Sequence, residues 1–315
     1  LLLSTAEIQE LRLNRESHWR FKLDLSRINW DDGILGDLSI DAASVSDPVL
    51  IRGDGQFLYT LASVCDDVDF GISNVVRGSD HVTNTATQIQ IIEALGGDVP
   101  HFAHHSLLTG SKGEPLSKRL GTLSLRDLRA SGFEPMAILS YMSRLGSSEP
   151  IELFDNLEDL AENFNISNFG AQPTKFDLND IIPLTKKYIS TLDISEVSDD
   201  LIKTGIPSDI APKCWIMVRD NINTRTEIKH WWSICSEGVA PLIDEEDIEF
   251  IDIAKSLLPV GTFDESTWKN WTSEIKKVTG RKGKSLFMPL RKALTGIEHG
   301  PDMSKMLPLL QKINL

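Results

Sequence analysis

Two adjacent cations, Lys118 and Arg119, sit in the run Leu116-Ser117-Lys118-Arg119, framed by Gly113 and Gly121. An ammonium and a guanidinium on a polar, glycine-bounded turn suit a mobile phosphate clamp, because they can draw charge from phosphate oxygens while a bond to phosphorus is exchanged. Taken alone, the run reads as a surface turn with two solvated cations. Its weight comes from three upstream segments able to complete a nucleotide-and-carboxylate site: Tyr59-Thr60-Leu61-Ala62-Ser63, Arg77-Gly78-Ser79-Asp80-His81, and residues 101–108.

These side chains need elements to hold them. Residues 60–69 read as a helix, 74–77 as a short buried strand, 80–95 as a helix ended by Gly96-Gly97, and 102–108 as the next strand. That alternation predicts a parallel sheet with crossover helices, in which ligands bind beyond the carboxyl ends of the strands, where Arg77 and residues 106–108 would lie. Upstream, Phe21, Leu23 and Leu25 alternate with polar residues and Asp32-Gly33 marks a turn, so residues 20–51 read as small strands. Val49-Leu50-Ile51-Arg52, the Asp54-Gly55 turn and Phe57-Leu58-Tyr59 form a hairpin candidate.

From Ser124 the pattern turns helical. Ser124 with Asp127 makes a capping-box start and Gly132 a stop, and Pro135 opens a second helix. Further helices are predicted over 211–221, 226–235, 246–258, 264–279 and 285–295, so an all-α module is expected from about residue 177 onward.

At 315 residues the chain is long enough for two or three domains. It has no apolar stretch near the ~18 residues that span a bilayer. Its first residue is Leu1, which reads as a processed or truncated product. Cys65, Cys214 and Cys235 are few, odd in number and far apart, which argues against a disulfide framework and a zinc site and for a reducing cytoplasm. The net charge of −14 opposes nucleic-acid binding taken as a sum. Its distribution does not: Lys269, Lys276, Lys277, Arg281, Lys282, Lys284, Arg291 and Lys292 face the single Glu274 between Trp268 and Gly296. Asp244, Glu245, Glu246, Asp247, Glu249 and Asp252 form an acidic run without a cation. The plain reading of both runs is solvated helix faces.

A family resemblance joins these segments. Asp47-Pro48-Val49-Leu50-Ile51-Arg52, residues 59–67, Val76-Arg77-Gly78-Ser79-Asp80-His81 with Asn84-Thr85, Phe102-Ala103-His104 and Leu116-Ser117-Lys118-Arg119-Leu120-Gly121 resemble the bacterial glutamyl-tRNA synthetases, a class I family. Gly280-Arg281-Lys282-Gly283-Lys284-Ser285-Leu286-Phe287-Met288-Pro289-Leu290-Arg291, with Leu294-Thr295-Gly296 and Glu298-His299-Gly300-Pro301, resembles the end of that family's anticodon-binding region. The similarity covers nearly the whole chain.

The resemblance implies an α/β plus all-α fold: the second half of a class I Rossmann-type catalytic domain with part of an insertion domain, then a helical anticodon-binding module. It divides the chain into an insertion remainder at 1–48, the catalytic half at 49–123, a helical stem-contact domain at 124–176 and the anticodon-binding domain at 177–315. It implies glutamate–tRNA ligase activity with ATP and Mg2+, L-glutamate and a glutamate-accepting tRNA as partners, a cytoplasmic monomer, no membrane and no structural zinc.

Residue by residue, Pro115, Leu116, Ser117, Lys118 and Arg119 match the KMSKS-type loop, with Lys118 and Arg119 catalytic. Pro115 stands where the family's first lysine is usual, which leaves Lys118 more of the role. Ser117, Lys118, Asp80 and Leu108 match ATP-binding positions, Asp80 being equally accounted for as a helix N-cap. Tyr59, Ser63 and Arg77 match glutamate-binding positions, although many relatives carry Asn at Ser63. Lys276, Lys277, Arg281, Lys282 and Lys284 are expected to contact tRNA, while Trp268 and Trp271 are expected in helix core rather than stacked on bases. His104 is taken as a strand residue near the adenine pocket. His81, His101 and His105 are taken as structural, and none of the four has acidic or thiol partners at ligand spacing.

The HIGH-type segment of class I synthetases has no counterpart in the sequence. The expectation is therefore the carboxy-terminal part of such an enzyme, incompetent or very weak in catalysis by itself. Two alternatives stand beside it: a non-catalytic tRNA-binding protein derived from a synthetase, disfavoured by the retention of Tyr59, Arg77 and Lys118, and another class I nucleotidyl-transferring enzyme, disfavoured by the helical module.

Overall fold

The computed structural model describes residues 3–110, 113, 114, 116 and 124–315. These divide into two units. One holds the chain as far as residue 116, with Arg144–Pro150 and Asn163–Phe176; the other holds residues 124–143, with Ile151–Glu162 and Asp177–Leu315.

In chain order the first unit carries α1 (Thr5–Asn14), β1 (Trp19–Arg20), β2 (Arg27–Asp32), β3 (Gly36–Asp41), β4 (Val49–Ile51), α2 (Tyr59–Asp69), β5 (Asn74–Gly78), α3 (Val82–Leu95), β6 (His101–His105), β7 (Leu108–Thr109) and β8 (Thr174–Lys175). The turn at residues 33–35 folds β3 back on β2, antiparallel, with Asp32 opposite Gly36. β5 and β6 run parallel, as a crossover through α3 requires. The four-stranded sheet has the order β3-β2-β6-β5, β2 meeting β6 in parallel at Asp32 and Phe102. Residues 27–41, grouped by sequence with an insertion segment, thus supply two strands to the sheet that carries Arg77. Alternation along a strand gives its two faces but not its lateral neighbours.

The core of this unit joins Val64, Ile89, Ile91, Ile92 and Phe102, with Ile28, Trp30 and Val75 packed against it. Residues 85–92 of α3 are all buried, so its polar side chains need partners. Gln90 finds them by accepting from the Asp24 amide at 2.8 Å and donating to its carbonyl at 3.0 Å. The hairpin expected around Asp54-Gly55 forms, with Leu58 N donating to the Leu50 carbonyl at 2.9 Å.

Two boundaries and one burial differ here from the sequence reading. The strand expected over 102–108 stops at His105, and β7 pairs with β8 in a separate two-stranded sheet. The break coincides with the His105 ring bonding the Ser106 carbonyl at 2.9 Å and the Ser106 hydroxyl meeting Thr174 at 3.0 Å. The helix expected from Asp80 begins as a 3-10 turn, Ser79–His81, before α3. The strand expected to be buried, β5, is an edge strand with Asn74 and Val76 exposed.

The second unit carries α4 (Leu125–Ala130), α5 (Pro135–Met142), α6 (Leu157–Glu162), α7 (Leu178–Thr191), α8 (Ile194–Lys203), α9 (Ala211–Val218), α10 (Ile228–Glu237), α11 (Ile248–Ser256), α12 (Thr267–Thr279), α13 (Lys284–Thr295) and α14 (Met303–Met306). Ser124 and Asp127 form the capping box that the sequence predicts. Helices α7 and α8 go beyond the segments singled out from sequence; α7 carries Pro183 in its interior, where the missing N–H obscures the pattern. Trp215 and Trp271 anchor the core, their indole N–H groups donating to the carbonyls of Leu192 at 3.0 Å and Ala254 at 2.9 Å. Among the described residues no helix is long and apolar enough to cross a membrane.

Candidate functional site

In the parallel register of β5 and β6, Arg77 lies opposite His104, which places both side chains on one face of the sheet. The Arg77 Nε donates to His104 Nε2 at 3.2 Å, and its Nη2 donates to the Thr85 hydroxyl, from the first turn of α3, at 2.6 Å. Its Nη1 faces the Tyr59 hydroxyl at 3.5 Å, and the guanidinium carbon stands 5.3 Å from the Phe102 ring centroid. Tyr59 opens α2 and meets the His81 ring edge-on at 6.0 Å. One guanidinium is therefore held by two strands and two helices, half-buried, with its hydroxyl neighbours beside it.

Beneath it lies a buried acid. Asp32, at the end of β2, accepts from the His104 amide at 3.0 Å and stands 2.5 Å from His104 Nδ1. The Leu35 and Ile34 amides and the Trp30 indole also donate to it, at 3.1, 3.2 and 3.3 Å. Burial pushes the Asp32 carboxyl up, but the hydrogen bonds from His104, Leu35 and Ile34 outweigh it and hold the group below the usual carboxylate range. On α2, burial pushes the Asp67 carboxyl up, against the pull of the Arg77 charge.

Ser63 lies one turn beyond Tyr59 on α2, half-buried, and accepts from Gln88 Nε2 at 3.2 Å. Gln88 is itself 2% exposed. Asp80 is exposed in the 3-10 turn, and α3 has His81 at its N-cap with no side-chain cap bond, so the capping account of Asp80 does not hold. Leu108 lies half-buried in β7 and Leu116 is half-buried. Pro115, Ser117, Lys118 and Arg119 lie outside the described residues. Asp32, Thr85 and Gln88 were not singled out as site residues from sequence; a carboxylate ending an alternating strand was the available signal for the first.

In the second unit Lys276, Lys277, Lys282 and Lys284 are exposed around the turn from α12 to α13, Lys277 pairing with Glu274 at 2.6 Å. Arg281 differs: its guanidinium pairs with Asp247 and stands 4.2 Å over the Phe250 ring. Lys292 likewise pairs with Asp244 at 2.5 Å. The acidic and basic runs are thus joined at two points rather than being wholly solvated faces. Trp271 is 1% exposed and Trp268 packs on it at 5.8 Å, which places the pair in core as expected.

The family model for class I tRNA synthetases (E and Q), catalytic domain, matches residues 2–183, and that for an anticodon binding domain matches 206–314. Glutamate–tRNA ligase 1 of Roseobacter denitrificans is 62% identical over 314 residues, which is 99% of this chain and 71% of that protein. The chain belongs to the class I glutamate–tRNA ligase family. Glutamate–tRNA ligase 1 of Ruegeria pomeroyi is 59% identical over the same shares. A glutamate–tRNA synthetase structure from Elizabethkingia anophelis superposes with a TM-score of 0.76 at 22% identity, covering 98% of this chain and 68% of that one. The sheet that carries Arg77 belongs to the synthetase catalytic domain, and the helical region from residue 206 is the family's anticodon-binding domain.

Proposed function

We propose that this glutamate–tRNA ligase family member takes part in ATP-dependent activation of L-glutamate to glutamyl-adenylate and transfer of the glutamyl group to the 3′ end of a glutamate-accepting tRNA. The observation that carries the reading is the Arg77 guanidinium, held by His104 and Thr85 beside the Tyr59 hydroxyl. A planar fork of donors beside a phenol is suited to a substrate carboxylate. Ser63, whose oxygen already accepts from Gln88, has its own O–H left to donate.

ATP enters as a substrate in its Mg2+ complex. In this reading Asp80, Leu108, Ser117 and Lys118 bind it, and Lys118 with Arg119 draws charge from its phosphates while the glutamate carboxylate attacks the α-phosphorus and pyrophosphate leaves. No protein nucleophile is needed. Residues 49–123, joined by the strands at 27–41, form the catalytic part; 1–48 otherwise belongs to the insertion, 124–176 to stem contact and 177–315 to anticodon binding. Lys276, Lys277, Lys282 and Lys284 contact tRNA phosphates, with Arg281 fixing the turn that presents them. The protein acts as a cytoplasmic monomer and needs no structural zinc.

In the complete protein, Lys118→Ala should cost about 2–4 kcal/mol of transition-state stabilisation in glutamate activation. Arg77→Lys should raise KM for glutamate with little change for ATP. Unchanged turnover in the first variant, or an unchanged glutamate response in the second, would overturn the corresponding role.

A further inference from the structure

The guanidinium that the proposed function assigns to glutamate rests on a pair of side chains closed off from solvent. The side chains of Asp32 and His104 are both 0% exposed and 2.5 Å apart. Asp32 accepts from four fixed donors, the His104, Ile34 and Leu35 amides and the Trp30 indole, and faces the His104 ring with Nδ1. A carboxylate so surrounded is an acceptor only, so the shared proton belongs to His104 Nδ1. Because the Arg77 Nε that faces it can only donate, the second ring nitrogen, Nε2, must offer a lone pair.

We propose that Asp32 and His104 are positioning residues for Arg77: by fixing the Nδ1–H tautomer they present Nε2 as an acceptor that pins one edge of the guanidinium and leaves the other edge for the substrate carboxylate. The inference rests on the reading of Arg77 given above. Arg77 Nε–H stands 3.2 Å from Nε2 and has no other acceptor among the described residues. The Thr85 hydroxyl lies 3.0 Å from the same lone pair but can donate instead to the His81 carbonyl at 3.3 Å, while accepting from Arg77 Nη2 at 2.6 Å. Nε and one Nη2 hydrogen are thereby engaged along one side of the guanidinium plane. The Nη1 and remaining Nη2 hydrogens form a second fork, with the Tyr59 oxygen 3.5 Å from Nη1. The opposite tautomer would aim Nε2–H at the Arg77 Nε–H, donor against donor.

An arginine already fixed in its binding orientation loses less freedom when the carboxylate arrives; altering the partners that orient metal-binding side chains in the same way typically costs about 10-fold or more. A purely structural role for the pair, tying β2 to β6, would not depend on which ring nitrogen carries the proton.

The test reads that proton directly. Nitrogen NMR of the labelled chain should show His104 protonated at Nδ1 and bare at Nε2, with a slowly exchanging Arg77 Nε–H. In Asp32→Asn the carboxamide can donate to Nδ1, driving the proton to Nε2; Arg77 Nε–H should then exchange rapidly and glutamate binding should weaken about 10-fold. His104→Gln, whose carbonyl oxygen can stand in for Nε2, should recover part of both. A wild-type ring protonated at Nε2, or an Asp32→Asn protein with Arg77 Nε–H protection unchanged, overturns the proposal. If Asp32→Asn does not fold, the wild-type tautomer and the His104→Gln protein decide it. Failure of the functional reading is separate: glutamate binding unaffected by Arg77→Gln would remove the substrate assignment while the wild-type tautomer still tests the pinning.

Discussion

Arg225 closes a two-pronged fork on Glu134: Nε meets Oε1 at 2.5 Å and Nη2 meets Oε2 at 2.8 Å, while Nη1 reaches Asp200 at 3.2 Å. Glu134 is the N-cap of α5, its side chain only 4% exposed, and Asp200 lies on α8, so one arginine ties two helices of the same unit. Burial alone would lower the Arg225 basicity, and the two carboxylates more than reverse it. Removing one member of such a pair leaves a buried charge without its partner, which costs more than the pair itself contributes. Arg225→Ala should destabilise the second unit by about 2–4 kcal/mol, discounted for the part of Arg225 that reaches solvent. Arg225→Met combined with Glu134→Leu should recover most of that loss. Urea titration followed by tryptophan fluorescence checks both, and equal losses in the single and double variants would show that the fork contributes nothing specific.

The fork was not legible from sequence, and the reason is general to this chain. Ser124 and Asp127 are three residues apart, so their capping box could be read directly. Glu134 and Arg225 are 91 residues apart, Asp32 and His104 72, and Asp247 and Arg281 34. Such pairs depend on which elements pack side by side. The basic run shows the consequence: counting charge set Arg281 beside the exposed lysines and did not show that its guanidinium pairs with Asp247. Tyr59 and Arg77 were found through family resemblance, and the structure adds the hydroxyl-to-guanidinium approach of 3.5 Å between them.

Asp32 should leave a mark on acid stability. Its folded carboxyl lies below the ordinary value because accepted hydrogen bonds outweigh burial. A depressed folded pKa contributes stability in full above the unfolded value of about 3.9 and loses it as pH falls toward the folded value. The urea midpoint of the first unit should therefore drop on acidification from about pH 5 to pH 3, and drop less steeply in Asp32→Asn. Parallel curves for the two proteins would count against a charged Asp32.

The three cysteines should separate by reactivity. Cys214 and Cys235 are both 0% exposed; burial pushes the first thiol up to about 11, and burial with Cys214 as neighbour pushes the second up to about 12. Thiolate is the reacting form, so neither should react near pH 8 while the fold persists. Cys65, half-buried on α2, is the candidate for labelling in the native state. A disulfide-exchange reagent should titrate one thiol natively and all three in denaturant, and rapid native labelling of Cys214 or Cys235 would indicate that the helical core opens readily.

At the turn between α12 and α13 the cations divide by what they already hold. Lys282 and Lys284 are exposed, whereas Arg281 is half-buried against Asp247 and Phe250. If the turn meets tRNA phosphates, replacing Lys282 and Lys284 by Ala should weaken binding and flatten the dependence of log K on log salt by roughly 0.7–0.9 for each phosphate that a lysine had neutralised. The folded stability of that variant should stay within about 0.5 kcal/mol of wild type, as for surface changes generally. Arg281→Ala should do the reverse, lowering stability through the stranded Asp247, with any loss of tRNA affinity following from the displaced turn. Salt titrations of tRNA binding beside urea titrations of each variant separate the two classes, and an unchanged salt slope in the double lysine variant would remove this turn from the tRNA-binding surface.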